Sequence, residues 1–225
     1  MQRSILTLAL LAATAGTAGA QAQAAKDADP TRKVAAGTLP AGWAVRLDDK
    51  DKARYTEKDT RFEAMGAGQW HVTSGPAALY YSAAHTAPGD TYTVSTSITQ
   101  TKAPSHPEAY GLFLSGRNLD DAAKQDYAYF LVRGTGEFMV NHRAGQEIHK
   151  IIPWTAHPAV NKQDANGKAT NKLEARVGAD SVRFVVNGTA VAAIPRDHYR
   201  NTSGIAGLRV NHNLDVHVGG FEIKK

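Results

Sequence analysis

Alternation of apolar and polar residues runs through the segment Tyr110–Arg143 and predicts three consecutive β-strands. Successive side chains of a strand point to opposite faces, so this pattern places one apolar face on a core and leaves a mixed face outside. The segment therefore predicts an antiparallel sheet that covers a core on one side. The predicted strands are Tyr110–Arg117, Asp126–Arg133 and Glu137–Arg143, joined by a polar loop at 118–125 and a Gly134-Thr-Gly136 turn.

Short β-type segments continue on both sides of this triplet. Thr91–Thr101 is built largely from β-branched residues, and Asn187-Gly188 between two apolar runs is the signal for a type I′ hairpin. Roughly a dozen short strands with no long helix are typical of a β-sandwich or barrel. The alternation assigns the following residues to the core: Leu112, Leu114, Phe130, Val132, Phe138, Val140, Leu173, Phe184, Leu208 and Val210.

The N-terminus has the pattern of an export signal. A short basic start precedes the apolar run Ile5–Ala13, and Ala18-Gly-Ala20 fits a small-x-small cleavage site. The apolar run is about half of the ~20 residues that span a bilayer, so we predict removal of the signal rather than a transmembrane anchor. We expect a signal peptide at 1–20, a flexible tether at 21–40, a single domain at 41–225, and a periplasmic or secreted product without a transmembrane segment.

Composition excludes several classes of site. The chain has no cysteine, which excludes disulfides, thiolate metal sites and a cysteine nucleophile. Its formal charge of +5 is spread over scattered Lys and Arg, without the clustered basic footprint of a nucleic-acid-binding protein. The nine histidines form no metal-binding motif, so we predict no transition-metal site.

Three motifs carry a resemblance to a known fold family. They are Asn171-Lys-Leu173, Val185-Val-Asn-Gly188 and Gly204-x-x-Gly-Leu208, in the same order relative to the central strands. The chain from about Trp43 to Ile223 resembles the concanavalin A-like, or laminin-G-like, jelly rolls of exported bacterial proteins, and is similar to the sugar-hydrolase-like group labelled domain of unknown function 1080. The resemblance implies an all-β jelly-roll sandwich of two antiparallel sheets, with carbohydrate held on the concave face or at a rim.

Catalytic motifs are absent from the sequence. No E-x-D-x-E run places paired carboxylates on one strand, and G-x-S-x-G and phosphate-binding loops are also missing. We therefore predict no catalytic residues and no resident cofactor. Asn118, Asp120, Asp121 and Asp126 form an oxygen-rich loop, which we interpret as a solvated turn, with a Ca²⁺ site at the rim as the alternative.

The leading hypothesis is an exported, lectin-like domain that binds carbohydrate or a cell-envelope glycan without catalysis of its own. A glycoside hydrolase and a structural or protein-interaction scaffold are the alternatives. Aromatic rings stack on sugars, and amide and guanidinium groups bind hydroxyls, so we looked for these types on the strand faces opposite the core. The candidate ligand-binding residues are Arg117, Tyr127, Tyr129, Asn141, Arg209 and Asn211, extended by His71, Tyr80 and a Trp154 lid from a long loop at 153–170.

Overall fold

The computed structural model describes residues 37–48, 55–87, 90–199 and 201–225. The predicted signal peptide and residues 21–36 of the predicted tether lie outside these ranges. Within them the chain forms fourteen strands and two 3-10 helices. The strands are β1 (Trp43–Leu47), β2 (Thr60–Gly66), β3 (Gln69–Ser74), β4 (Ala78–Thr86), β5 (Tyr92–Gln100), β6 (Ala109–Arg117), β7 (Asp126–Arg133), β8 (Glu137–Ala144), β9 (Glu147–Ala156), β10 (Ala169–Val177), β11 (Ser181–Val186), β12 (Thr189–Pro195), β13 (Ile205–Val210) and β14 (Asp215–Lys224). The 3-10 helices are Glu57–Asp59 and Arg196–His198.

The strands form two antiparallel sheets of seven, which confirms the all-β jelly-roll prediction. Sheet A has the order β1-β4-β13-β6-β7-β8-β9, and sheet B has the order β12-β11-β10-β5-β14-β3-β2. The late strands β13 and β14 lie in the middle of their sheets, beside strands from the first half of the chain. Neither 3-10 helix approaches the length of a membrane-spanning helix, and the described ranges hold no other candidate for one.

The core lies between the inner faces of the two sheets. All residues that alternation assigned to the core are buried in this one cluster. Phe130 of sheet A and Phe184 of sheet B meet across it with ring centroids 5.0 Å apart. The predicted hairpin is also confirmed, because Asn187 and Gly188 both have positive φ, at 49° and 85°, as a type I′ turn requires.

A β-bulge in β6 interrupts the alternation of sheet A. Leu114 pairs with Ala128 and Arg117 pairs with Asp126, so β6 carries one more residue than β7 over this stretch. Ser115 adopts a left-handed φ of 62° at the bulge. An extra residue in one strand reverses the facing of every residue beyond it. Arg117 therefore lies on the opposite side of the sheet from the side that simple alternation predicts.

Candidate functional site

The outer face of sheet A, which points away from the core, gathers four of the predicted ligand-binding residues. Tyr129 of β7 lies opposite Asn141 of β8, and Tyr127 lies two residues along the same strand. Arg209 of β13 lies opposite Gly111 of β6, which in turn lies opposite Leu131 of β7. The period of two therefore brings Tyr127, Tyr129, Asn141 and Arg209 to one surface.

This outer face is less open than the sequence suggested. Tyr127, Tyr129, Asn141 and Arg209 are only 2%, 5%, 4% and 8% exposed. The candidate residues therefore do not line an open, water-filled groove, because a second apolar cluster covers the face. Its buried members are Leu79, Ala109, Phe113, Leu119, Tyr127, Tyr129 and Leu131, and its half-buried members are Tyr81, Met139, Trp154 and Ile205.

The outer-facing residues of β6 in the middle of this face are small. Ala109 and Gly111 lie between Arg133 and Leu131 of β7 on one side and β13, with Arg209 opposite Gly111, on the other. A Cβ atom on Gly111 would lie 2.1 Å from the Phe130 carbonyl oxygen, so a glycine is required there.

A polar network lies beside Gly111 on this face. The Arg209 guanidinium donates two hydrogen bonds to the Asp48 carboxylate, at 2.9 and 2.8 Å, and lies 5.1 Å from the centre of the Tyr129 ring. Asn141 Nδ2 donates to the Tyr129 hydroxyl at 3.0 Å. Burial acts to lower the pKa of Arg209, but Asp48 raises it overall, so the guanidinium stays charged and its charge is balanced inside the site.

The hydroxyl of Tyr127 stays protonated at neutral pH. Burial is the main reason that its pKa is raised, and the neighbouring Arg209 only partly opposes that effect. The Tyr127 and Tyr129 rings lie 5.8 Å apart and are tilted by 41°. The two aromatic rings therefore stand beside an ion pair whose charges balance, and Arg46 and Arg143 also act on Tyr127.

Three polar atoms of this face lack hydrogen-bond partners. Within the described part of the chain, Asn141 Oδ1, Asn211 Oδ1 and Arg209 Nε are buried without one. Two of these atoms are acceptors and one is a donor. Leaving a buried polar atom unpaired costs about 1–3 kcal/mol, so each of these atoms calls for a ligand atom or water. Asn141 lies in the same row of paired residues as Tyr129 and Gly207, and Asn211 lies in the row of Ala109 and Glu137, so the two amides stand at opposite ends of the face.

Asn211 lies at the margin of this face. Its backbone N–H donates to the Ala109 carbonyl at 2.9 Å, which places the residue beside the start of β6. The side chains of Asn211 and Arg209 lie on the same face, because the two residues are two positions apart in extended chain and side chains alternate between faces. The structure therefore brings Tyr127, Tyr129, Asn141 and Arg209 together and places Asn211 on the same face at a distance from Asn141.

Arg117 does not join them, and the expectation that it shares this face is wrong. The bulge turns its side chain away, and it is exposed and donates to Ser203 Oγ at 3.1 Å. Tyr80 is also misplaced, since it lies fully buried in the main core, where burial raises its pKa. On β4, Tyr80 and Tyr81 are both aromatic, so alternation alone does not decide which one faces inward.

Trp154 lies on β9 and not in a loop, because the strand extends through Ala156. It packs against the outer-face cluster, and the Arg133 guanidinium lies 4.3 Å from the centre of its ring. Arg133 is held in turn by Glu137, at 2.7 Å. Trp154 thus borders the face, as predicted, but as part of an edge strand.

His71 lies on the other sheet. It pairs in register with His217 of β14, and its Nε2 is 3.0 Å from Asp215 Oδ1. Thr101 donates to the same carboxylate oxygen at 2.6 Å. His71 therefore belongs to a separate polar cluster on sheet B and does not contribute to the outer face of sheet A.

Replacing Asp215 by asparagine should destabilise the protein at neutral pH, and the loss should shrink as the pH falls below about 4. Burial acts to raise the pKa of Asp215, but hydrogen bonds from Thr101 and His71 lower it overall. A carboxyl whose pKa is lowered by folding stabilises the fold above its unfolded pKa, and that stability is lost as pH falls through the folded pKa. Urea unfolding of both proteins at a series of pH values measures the difference. A difference that stays constant down to acidic pH would contradict this role of the charge.

The oxygen-rich loop is built as a turn. Asp121 accepts a hydrogen bond from the Ala123 backbone at 2.9 Å and pairs with Lys124 at 3.2 Å, while Asp126 pairs with His142 at 3.0 Å. The bond from Ala123 is the main reason that the pKa of Asp121 is lowered. Among the described residues no group of three His, Asp or Glu side chains is arranged to hold a metal ion.

Five described carboxyl groups have shifted pKa values, and none of these five shifts is in the direction that acid catalysis uses. A general acid of a glycoside hydrolase needs a raised pKa. Where the described carboxyls have shifted pKa values, the shift is downward, as in Asp121, Glu137, Glu174, Asp215 and Glu222. The hydrolase alternative therefore gains no support from these groups.

Comparisons with known proteins identify the fold. No family model and no curated protein matches the chain. Among solved structures, the chain is similar to the carbohydrate-binding module CBM66 from Bacillus subtilis, with TM-score 0.50, 13% identity and 84% of this chain and 98% of that one covered. A protein of unknown function with a galectin-like fold, also from Bacillus subtilis, matches with TM-score 0.52 and 10% identity over 81% and 88% of the two chains. The alginate lyase A1-II′ of polysaccharide lyase family 7 matches with TM-score 0.51 and 10% identity over 82% and 93%. At these identities the likeness establishes the jelly-roll fold.

Proposed function

We propose that this protein is a carbohydrate-binding jelly-roll domain that holds a neutral sugar on the outer face of sheet A. The observation that carries the proposal is the pair of unpaired atoms Asn141 Oδ1 and Arg209 Nε, whose side chains both border Tyr129. A hydroxyl group donates and accepts, so neighbouring sugar hydroxyls can satisfy both kinds of atom at once. A fully ionised phosphate or sulfate has no proton to offer the amide oxygen of Asn141.

The charge balance of the network also favours a neutral ligand. Asp48 accepts hydrogen bonds from both terminal nitrogens of the Arg209 guanidinium, so the charge of this arginine is already balanced and does not attract an anion. The rings of Tyr127 and Tyr129 lie in the same network and supply the aromatic surface on which sugar rings commonly stack. The carbohydrate-binding module among the similar structures is consistent with this class of ligand.

The ligand must enter from the margin of the face. Because the network is buried, a sugar has to pass between half-buried side chains of the second apolar cluster, among them Tyr81, Met139 and Trp154. Methionine is flexible and adapts to different neighbours, which makes Met139 a suitable element of such an entrance. Binding should therefore reorganise this margin while the strands stay in place.

The cellular setting belongs to the same proposal. The basic start, the apolar run Ile5–Ala13 and the small residues before position 21 support export, and hence a periplasmic or secreted protein that meets cell-envelope or external glycans. The motifs Asn171-Lys-Leu173 and Gly204-x-x-Gly-Leu208 support a place near the group labelled domain of unknown function 1080. The scattered basic residues support a glycan partner over nucleic acid.

The double variant Tyr129→Phe/Asn141→Leu should weaken glycan binding by about tenfold or more while leaving stability nearly unchanged. It removes both partners of the 3.0 Å hydrogen bond and keeps the size of the side chains. Replacing both partners of a buried hydrogen bond by apolar groups of the same shape is close to neutral for stability, whereas a ligand would lose its contacts. A glycan array of neutral and uronate oligosaccharides identifies the ligand, and calorimetry with that glycan measures the loss.

The double variant Thr99→Val/Thr170→Val is the matched control. These two hydroxyls form a 2.8 Å hydrogen bond between β5 and β10 on sheet B, so the same kind of pair is removed from the other sheet. We expect its affinity to equal that of the wild type. Unchanged affinity in the folded Tyr129→Phe/Asn141→Leu protein would exclude the outer face of sheet A, and loss only in the control would move the site to sheet B.

A further inference from the structure

A small polar pocket lies at the end of the sandwich where β5, the loop before β6 and the turn between β7 and β8 meet. It has a volume of about 90 Å³, and its walls include Gln100, Ser105, Glu108, Thr135 and Gln163. A space of this size holds several water-sized groups but not a complete sugar ring. The pocket contains none of the residues assigned to the outer face of sheet A.

Gln100 places an unpaired hydrogen-bond acceptor at the pocket. Its side chain is completely buried, and Nε2 donates to Gln163 Oε1 at 2.8 Å and to the Gly167 carbonyl at 2.7 Å. Its Oε1 atom is buried and has no hydrogen-bond partner in the described part of the chain. A buried carbonyl oxygen without a donor is unfavourable by about 1–3 kcal/mol, so this position favours a ligand atom that carries a proton.

Gly134 and the side chain of Gln163 control access to the Gln100 amide. A Cβ atom on Gly134 would lie 2.4 Å from Gln163 Oε1 and 3.1 Å from Gln100 Oε1, so the absence of a side chain at 134 leaves room for both amides. Gln163 itself is exposed, on the loop that follows β9. A long, exposed side chain can swing away at little cost, which would open Gln100 to a ligand.

The walls of the pocket favour a neutral hydroxyl over an ion. Thr135 already donates its proton to Glu137 at 2.6 Å, and Ser105 Oγ accepts from Asn213 Nδ2 at 2.6 Å. The Glu108 carboxylate is the charged group of the described wall and would repel an anion. The acceptor at the floor belongs to a neutral, buried amide, which has no charge of its own to offset the hydration that an ammonium ion would lose. The Glu108 carboxylate of the wall already faces His212, with Oε1 3.9 Å from Nδ1.

We propose that this pocket is a second binding site, which takes a hydroxyl-bearing group of a neutral sugar or polyol and pairs it with Gln100 Oε1. The site is independent of the proposed function, because it lies at the end of the sandwich and shares no residue with the outer-face network. Its size suits a hydroxymethyl group or a pair of neighbouring hydroxyls, with the rest of the molecule outside.

The test is an NMR titration of the full ¹⁵N-labelled chain with glycerol, glucose and glucosamine. Glycerol and glucose should shift the side-chain amide signal of Gln100 and the backbone signal of Gly134. The variant Ser105→Phe, at an exposed position on the pocket wall, should block entry and weaken this response by about tenfold or more. Ser181→Phe, at the start of β11 in sheet B, is the control and should respond as the wild type does.

Three results would overturn the proposal. They are an absent response to glycerol and glucose at saturation, an equal response in Ser105→Phe, and a response to glucosamine alone, which would indicate an ammonium site. The Tyr129→Phe/Asn141→Leu protein separates this inference from the proposed function. It should keep the shifts at Gln100 and Gly134 even if it loses glycan binding at the outer face.

Discussion

Replacing Phe130 by alanine should lower the free energy of unfolding by about 3–5 kcal/mol, because a completely buried aromatic ring leaves both lost contacts and a cavity. Phe130 is 0% exposed and lies between sheets, with its ring centre 5.0 Å from Phe184 and 6.3 Å from Phe138. Urea unfolding should give a lower midpoint at an unchanged slope. Circular dichroism checks that the variant still folds into β-structure.

Phe221→Ala is the matched comparison. This ring lies on β14 and is only half-buried, where it contacts the Trp43 ring at 5.8 Å. Folding removes less apolar surface from water at Phe221 than at Phe130, so Phe221→Ala should lower the free energy of unfolding by clearly less than Phe130→Ala does. If both variants lost the same stability, the interior between the two sheets would not be the main source of the stability that Phe130 provides.

The core could be predicted because side-chain facing in a strand depends only on local geometry. Leu112, Phe130 and Leu208 lie in three different strands, and each has the apolar neighbour two positions away that alternation requires. Such a pattern needs no knowledge of which strands are adjacent. The two-sheet fold followed from the number of such strands and from the absence of helical periodicity.

Prediction of the site failed where the face on which a side chain lies depends on the backbone conformation of one residue. Arg117 follows the bulge at Ser115, whose φ of 62° is uncommon for serine and leaves no clear mark in the sequence. The outer face was also predicted to be too polar. Phe113 and Leu131 alternate on it as regularly as the core residues do on the other face, and that second apolar row was a readable signal.

The partner of Arg209 had no signal in the sequence at all. Asp48 lies 161 residues earlier, just beyond the end of the edge strand β1. Neither residue belongs to a motif, and their meeting depends on β4 lying between β1 and β13 in sheet A. Long-range ion pairs of this kind follow from strand order, which alternation does not specify.

Replacing Asp48 by asparagine should destabilise the protein by about 3–5 kcal/mol, since it leaves a buried guanidinium without its counter-charge. The Arg209 side chain is 10% exposed and the Asp48 side chain 17%, with 2.8 Å between their charged atoms. The double variant Asp48→Asn/Arg209→Met should recover much of the loss, because it removes both charges. Denaturant unfolding of the wild type, the two single variants and the double variant gives the coupling energy of the pair.

The pair Arg61–Glu63 is the control for this cycle. It has a similar contact distance, 2.6 Å, but its side chains are 43% and 31% exposed. Solvent screens such pairs, so Glu63→Gln should cost no more than about 1 kcal/mol. A loss of that small size for Asp48→Asn as well would mean that water reaches Arg209 freely. The outer face of sheet A would then be an open, hydrated surface, and its unpaired polar atoms would be satisfied by solvent without any sugar.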